Sequence, residues 1–126
     1  MRAYLLVFVG GGIGAALRHG INVTLARWLG MHFPFHTLFE NVSGSIVMGL
    51  LAGYFITACG TPQSIRLLLT TGILGGYTTF SAFAYETFFL GREHAWVSAA
   101  TNVLASVTIG LVAVWVGYRL AIILGA

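Results

Sequence analysis

The amino-acid sequence predicts an all-α membrane protein with four transmembrane helices, forming one transmembrane domain over residues 1–126. Hydrophobic residues make up 58% of the chain and charged residues only 7%, so a water-soluble fold would lack polar residues to cover its surface. The mean hydropathy of +0.92 points the same way. Because one helical span needs about 20 apolar residues, the chain has room for four spans with short connections in a lipid bilayer.

The four apolar segments are, in order, residues 3–21, 37–58, 66–90 and 95–123. Short polar stretches connect them: RWLGMHFPFH, CGTPQS and GREH. The first segment starts like a secretory signal, with a basic residue before an apolar run, but three further apolar segments follow, so we interpret it as the first span. Cys59 is the only cysteine, which excludes an internal disulfide, and we interpret it as a small apolar filler.

The basic residues, all arginine, bear on the orientation of the spans. One side of the predicted membrane protein carries Arg2, Arg66 and Arg119, and the other carries Arg18, Arg27 and Arg92. Since positively charged loops stay in the cytoplasm, this equal split predicts insertion in both orientations and an antiparallel, dual-topology homodimer. The alternative is that so few charges do not define an orientation. They also form no patch that would bind nucleic acid.

Small and polar residues recur every four positions in the second and fourth spans. The second span has Thr37, Asn41, Ser45, Gly49 and Gly53, and the fourth has Ser98, Asn102, Ser106 and Gly110. Small residues let helices approach closely in lipid, so we interpret the glycines, together with Gly10 and Gly14, as packing seams. Asn41 and Asn102 either share in that packing or line a polar path, because an amide in the hydrocarbon needs partners or water.

The third span contains the stretch LGGYTTFSAF, residues 74–83. Gly75 and Gly76 weaken a helix, and the β-branched Thr78 and Thr79 restrict its side-chain rotamers. Together they predict a third helix that is broken near its middle. Because a break frees backbone carbonyls and amides at membrane depth, it can build an ion site.

Three residues after the predicted break are candidates for that site. Phe80 and Phe83 share a helix face if the helix resumes there. Such aromatics are commonly packing residues, but the positive edge of a ring can also hold an anion. Glu86 is an acid within a span, which makes it a functional candidate or a structural hydrogen-bonding group, paired for example with Arg18.

Three motifs at these separations, GGGIGAALRHG, HTLFENVSGSIVMG and GILGGYTTFSAFAYE, resemble the Fluc (CrcB) fluoride channels of bacteria. The resemblance covers essentially the whole chain. It implies passive, selective export of fluoride across the cell inner membrane through two pores of an antiparallel homodimer, with a structural Na⁺ on the dimer axis.

The same resemblance assigns roles to individual residues. It implies a fluoride pathway made of Thr37, Asn41, Phe80, Ser81, Phe83, Glu86, Asn102 and Ser106. It implies that backbone carbonyls of Gly75 and Thr78 hold the Na⁺, and that Arg18 is the structural arginine closing the first span. These side chains suit fluoride, because a small, strongly hydrated anion needs hydrogen-bond donors on the way in and no fixed cation to trap it.

Four positions depart from the family pattern: Glu40, His36, Ala82, where threonine is frequent, and Asn102, where a larger or apolar residue is common. Glu40 stands where an apolar residue is usual, and His36 stands where glycine is common. Because residues i and i+1 do not share a helix face, we expect Glu40 to point away from the pore.

Other functional classes remain as alternatives. A small dual-topology multidrug exporter needs a carboxylate in the first span, and residues 3–21 contain none. A non-conducting membrane subunit would use the polar ladders as packing seams only. An enzyme is disfavoured, because the histidines lie near span ends without a matching nucleophile or metal cluster.

Overall fold

The computed structural model describes residues 1–30, 32–58 and 60–125, and these form helices joined by short connections. Cys59 lies outside the described residues. Four helical segments are long and apolar enough to cross a membrane, which confirms the prediction of an all-helical protein with four candidate spans. They are α1 (Arg2–Leu29), α2 (Phe35–Thr57), the third span (Gln63–Arg92) and α6 (Trp96–Gly125).

The third span consists of several pieces. It starts with α3 (Gln63–Arg66), continues as a π-helix (Leu67–Leu74) and a single turn α4 (Gly75–Tyr77), and resumes after a break as α5 (Phe80–Arg92). The wider π-helical geometry is visible at its end, where the Gly75 N–H bonds to the Thr70 carbonyl five residues earlier. Thr78 and Thr79, which we call the break, are extended.

The helices pack in two layers that the third span connects. Its first half, from the π-helix to α4, packs against α1, whereas α2 packs along α6. Beyond the break, α5 leaves α1 and packs mainly against α6. The break therefore lets one span change neighbours in the middle of the molecule.

Glycines make the close contacts between these helices. A side chain at Gly10 would collide with the backbone of Gly72, and one at Gly14 with the backbone of Ile73. On the other side, Gly49 lies directly on the backbone of α6 at Val114. The prediction that the glycines form packing seams is confirmed at these positions.

Polar side chains occupy much of the small interior. The largest fully buried side chains are Glu40, Asn102 and Thr37, whereas the buried apolar residues are Leu74, Ala99, Ala113 and Ala121. Large apolar side chains lie mostly on the outside. This arrangement is typical of a protein whose surroundings are lipid.

One predicted boundary was wrong. Helix α1 continues to Leu29 instead of ending near residue 21. The Thr24 hydroxyl donates a hydrogen bond to the Gly20 carbonyl, so this polar residue does not interrupt the helix. The exposed Trp28 and the basic Arg27 suit the last turn of a helix at a membrane interface. The break lies at Thr78 and Thr79, within the stretch of residues 74–83 that predicted it.

Candidate functional site

The break is stabilised by the side chain of its own second residue. Thr79 has extended backbone angles, φ −150° and ψ 120°, and is the N-cap of α5. Its Oγ1 accepts a hydrogen bond from the Ala82 N–H at 3.2 Å and lies 3.2 Å from the Ser81 hydroxyl. Threonine is a favoured N-cap residue, so the helix can restart directly after the break.

Asn41 joins α2 to the break through both ends of its amide. Its Oδ1 accepts from the Thr79 N–H at 2.9 Å, and its Nδ2 donates to the Thr79 carbonyl at 3.1 Å. The amide thus replaces the helical partners that Thr79 has lost. Because an amide nitrogen carries two protons, one N–H of Asn41 is left over from this pairing.

Two carbonyls are released by these interactions. In an unbroken helix, the N–H groups of Thr79 and Ala82 would bond to the carbonyls of Gly75 and Thr78, four residues earlier. Here those N–H groups bond to Asn41 Oδ1 and Thr79 Oγ1 instead. Gly75 is exposed on the surface of the single chain, and Thr78 is half-buried.

A cavity of about 350 Å³ opens beside the break. Four residues of the predicted fluoride pathway line it: Asn41, Phe80, Phe83 and Ser106. Ser45 and Thr78 add hydroxyl groups, and none of the lining residues carries a formal charge. Such a cavity offers hydrogen-bond donors and aromatic edges without a fixed cation.

The two phenylalanines differ in exposure. Their ring centroids are 5.5 Å apart, with the ring planes tilted by 51°. Phe83 is half-buried, but Phe80 is 80% exposed on the surface of the chain. Phe80 therefore stands at the open side of the cavity, where a second molecule or lipid must complete its surroundings.

Glu86 lies in a second cluster, one turn further along α5 than Phe83. Its Oε1 accepts from the Thr37 hydroxyl at 2.7 Å and lies 3.2 Å from His36 Nε2. Glu86 and His36 line a separate opening of about 280 Å³ together with Glu93. Within the described residues Glu86 contacts Thr37 and His36, so the suggested pairing of Glu86 with Arg18 was wrong.

A third group of polar side chains connects α5 with α6. Asn102 Nδ2 donates to the Thr87 hydroxyl at 2.9 Å, and Thr87 in turn donates to the Phe83 carbonyl at 2.8 Å. The Ser106 hydroxyl lies 3.4 Å from Asn102 Oδ1. The group thus continues from the cavity, which Ser106 lines, to the buried Asn102.

The remaining predicted residues lie at the edges of these clusters. Ser81 is exposed beside Phe80, and Arg18 is half-buried. Glu40 is fully buried and does not line the cavity that contains Asn41. Neither of its carboxylate oxygens has a hydrogen-bond partner among the described residues.

Several contributors to the site were missed from the sequence. Thr79 holds Asn41, Thr87 connects Phe83 to Asn102, and His36 contacts Glu86. A helical-spacing signal existed for Thr87, which follows Phe83 by one turn and bonds to its carbonyl. The partner of Thr79 lies 38 residues away in the sequence, so no local pattern indicates it.

Fold and site together define a small multi-pass membrane protein with a cavity lined by uncharged polar and aromatic groups at the break of one span. The chain belongs to the CrcB family: the family model described as "CrcB-like protein, Camphor Resistance (CrcB)" matches residues 5–118. The resemblance seen in the three motifs is confirmed at the level of the family.

Curated relatives match over nearly their full length. A protein of Rhodopseudomonas palustris (strain BisB5) is 54% identical over 93% of this chain and 94% of its own. One from Methylobacterium sp. (strain 4-46) is 52% identical over 92% of this chain and 93% of its own. One from Hyphomonas neptunium is 43% identical over 96% of each. All three relatives are named fluoride-specific ion channel FluC.

Proposed function

We propose that this protein is a fluoride-selective ion channel that lets fluoride leave the cell passively across the inner membrane. The observation that carries the proposal is the uncharged cavity at the break, which combines the Asn41 amide, hydroxyl groups and the rings of Phe80 and Phe83. Relatives named as fluoride-specific channels, at about half identity over nearly the whole chain, support it.

The chemistry of the cavity suits fluoride. A fluoride ion gives up its water only where donors replace it, and the spare N–H of Asn41 and the hydroxyl of Ser45 are such donors. Ring edges of Phe80 and Phe83 attract an anion weakly, so the ion can leave again. The polar groups at Asn102 and Glu86 would continue the pathway beyond the cavity.

The proposed channel is an antiparallel homodimer of this chain. An antiparallel homodimer with two pores would cover Phe80, Ser81 and Gly75, which are exposed at the surface of one chain near the break. Ser81 and the Gly75 carbonyl are polar groups at membrane depth, where lipid cannot satisfy them. The equal split of the arginines supports opposite orientations.

A structural Na⁺ fits the residues at the break. The carbonyls of Gly75 and Thr78 have lost the N–H partners of a continuous helix, and carbonyl oxygens of unwound helices are Na⁺ ligands in membrane proteins. The oxygens of these two carbonyls would coordinate the bound ion, whose positive charge would take the place of the lost N–H partners. No residue other than Gly75 and Thr78 is proposed as its ligand.

Fluoride efflux from liposomes tests this function. Purified protein in potassium fluoride liposomes, made permeable to potassium, should release fluoride to an external electrode while a parallel chloride sample releases none. Replacing Phe80 with isoleucine should abolish fluoride efflux, because the ring edge at the open side of the cavity is lost.

Phe88 offers a matched control, since it lies on the same helix and is 62% exposed, but does not line the cavity. Phe88→Ile should conduct like the parent protein. Equal release of fluoride and chloride, or of neither ion, by the parent protein would contradict the proposed function.

A further inference from the structure

The single turn α4 is the last helical turn before the break. It comprises only Gly75–Tyr77, and its last helical bond runs from the Thr78 N–H to the Leu74 carbonyl at 3.0 Å. At Thr78 and Thr79 the backbone is extended, and the helix resumes only at Phe80. The backbone of α1 supports this turn at Gly76, whereas the contacts of the turn with α2 are made by side chains.

Tyr77 supplies one such contact. Its hydroxyl lies 2.8 Å from Ser43 Oγ in α2. The Ser43 hydroxyl has a single proton, and the carbonyl oxygens of Phe39 at 2.7 Å and Glu40 at 3.3 Å, which can only accept, lie within its reach. This arrangement favours Tyr77 as the donor and Ser43 as the acceptor.

Gly44 allows the ring to come this close. A Cβ atom at Gly44 would lie 3.3 Å from Tyr77 Cδ1 and would collide with the methyl group of Thr78. The ring of Tyr77 and the side chain of Thr78 thus rest on the bare backbone of α2 at this glycine. Gly44 directly follows Ser43, so the steric contact and the hydrogen bond act on the same part of α2.

The two connections from α2 flank the first residue of the break. Ser43 holds Tyr77 on one side of Thr78, and Asn41 holds Thr79 on the other. Both Asn41 and Thr78 line the cavity. Any slip of α4 along α2 would consequently change where the spare N–H of Asn41 and the side chain of Thr78 point.

We propose that Ser43 and Tyr77 are positioning residues for ion conduction, whose hydrogen bond fixes the register of the break on α2. This inference rests on the proposed fluoride channel. It assigns a role to two residues outside the pathway, since neither lines the cavity. A bond that served folding alone would affect stability but not the choice of ion.

The test replaces each partner and measures two quantities in liposomes, the fluoride efflux rate and the ratio of fluoride to chloride efflux. Tyr77→Phe keeps the ring and removes the hydroxyl, and Ser43→Ala removes the acceptor. Each should lower fluoride efflux about tenfold, as expected for losing one buried hydrogen bond, and should lower the ion ratio. The double variant should be no worse than either single one, because both remove the same bond.

Gly44→Ala provides a second route to the same displacement. It leaves both hydroxyls in place but pushes Tyr77 and Thr78 off α2, so it should also lower the ion ratio. Two controls remove hydroxyl groups elsewhere: Tyr54→Phe at an exposed ring of α2, and Thr24→Ala at an exposed hydroxyl of α1. Both controls should conduct like the parent protein.

The outcomes separate the inference from the function on which it rests. A parent protein that conducts fluoride, with efflux and ion ratio unchanged in Tyr77→Phe and Ser43→Ala, overturns the inference alone. Additive losses in the double variant would also overturn it, because they would mean that the hydroxyls act separately. A parent protein that carries no fluoride overturns the proposed function and the inference together.

Discussion

Asn41 serves two purposes with one amide group. Its carbonyl oxygen and one N–H form the reciprocal pair with Thr79, and the second N–H remains for the cavity. The amide is thus a structural partner of the break and a candidate ion contact at the same time. A side-chain amide has its donor and its acceptor on two separate atoms, which the reciprocal pairing with Thr79 requires.

We expect Asn41→Asp to lower fluoride efflux by about 100-fold or more. The variant loses both N–H contacts of Asn41 at once, the one to the Thr79 carbonyl and the one available to the ion. A carboxylate can still accept from the Thr79 N–H, but it has no proton for the Thr79 carbonyl and none for fluoride. Its negative charge would also repel the anion. The measurement is the electrode assay in liposomes, with size-exclusion chromatography to establish that the variant is folded.

The matched change on α6 is Asn102→Asp, which alters the same chemical group at a fully buried position that does not line the cavity. Its effect should be smaller than that of Asn41→Asp, since the break would remain intact. Unchanged efflux in both Asn41→Asp and Phe80→Ile would remove the pore assignment.

Single residues were predictable from the sequence where a motif includes them. The positions of Asn41, Phe80 and Phe83 followed from the family resemblance, and all of them line the cavity. The contact between Tyr77 and Ser43 did not follow, because the two residues are 34 positions apart and meet only after α2 and α4 have packed. A hydrogen bond between distant segments has no signature in local composition.

At the scale of elements, the predicted break of the third helix is confirmed, and the two residue pairs that predicted it have different roles. The sequence predicts a broken helix, and the helix is broken, but Gly75 and Gly76 lie within the turn α4. Gly76 instead allows α4 to approach α1, since a Cβ atom there would collide with the backbone of Gly11. Thr79 makes the break, because it is extended and caps the next helix.

We expect Gly76→Ala to destabilise the protein by about 1–3 kcal/mol, the usual cost of forcing an extra methyl group into a packed interface. The collision is with the backbone of α1, which cannot rotate away as a flexible side chain could. Thermal unfolding in detergent, followed by circular dichroism, should show a lower midpoint.

Gly12→Ala is the control on α1, because a Cβ atom at Gly12 would have no atom of another helix within 4 Å. It should leave the midpoint unchanged or raise it, because alanine favours a helix over glycine by about 1 kcal/mol. Equal midpoints for Gly76→Ala and Gly12→Ala would mean that the third span does not depend on this close approach.

At the scale of the whole molecule, the single chain leaves the cavity at the break open on one side. Glycine seams make the close contacts between its own helices, but Phe80, Ser81 and Gly75 remain exposed beside the break. The number and order of the spans could be predicted, since hydropathy alone defines them. What covers the open side of the cavity could not be derived from hydropathy, because lipid and an apolar partner helix place the same demand on a sequence.

The proposed antiparallel homodimer makes a prediction about orientation that can be tested by adding charge. Thr61→Lys with Gln63→Lys adds two positive charges to the second connection, and His32→Lys with His94→Lys adds two to the first and third. By the positive-inside rule each pair should fix one orientation, and the two orientations should be opposite. Reporters fused to the C-terminus should show both orientations for the parent chain and a single one for each variant.

Fluoride efflux from cells should be low for either variant alone and should return when the two are produced together, because only then can opposite chains pair. Full efflux from one variant alone, or a single orientation of the parent chain, would contradict the antiparallel dimer and leave a parallel assembly or a monomer as the conducting form.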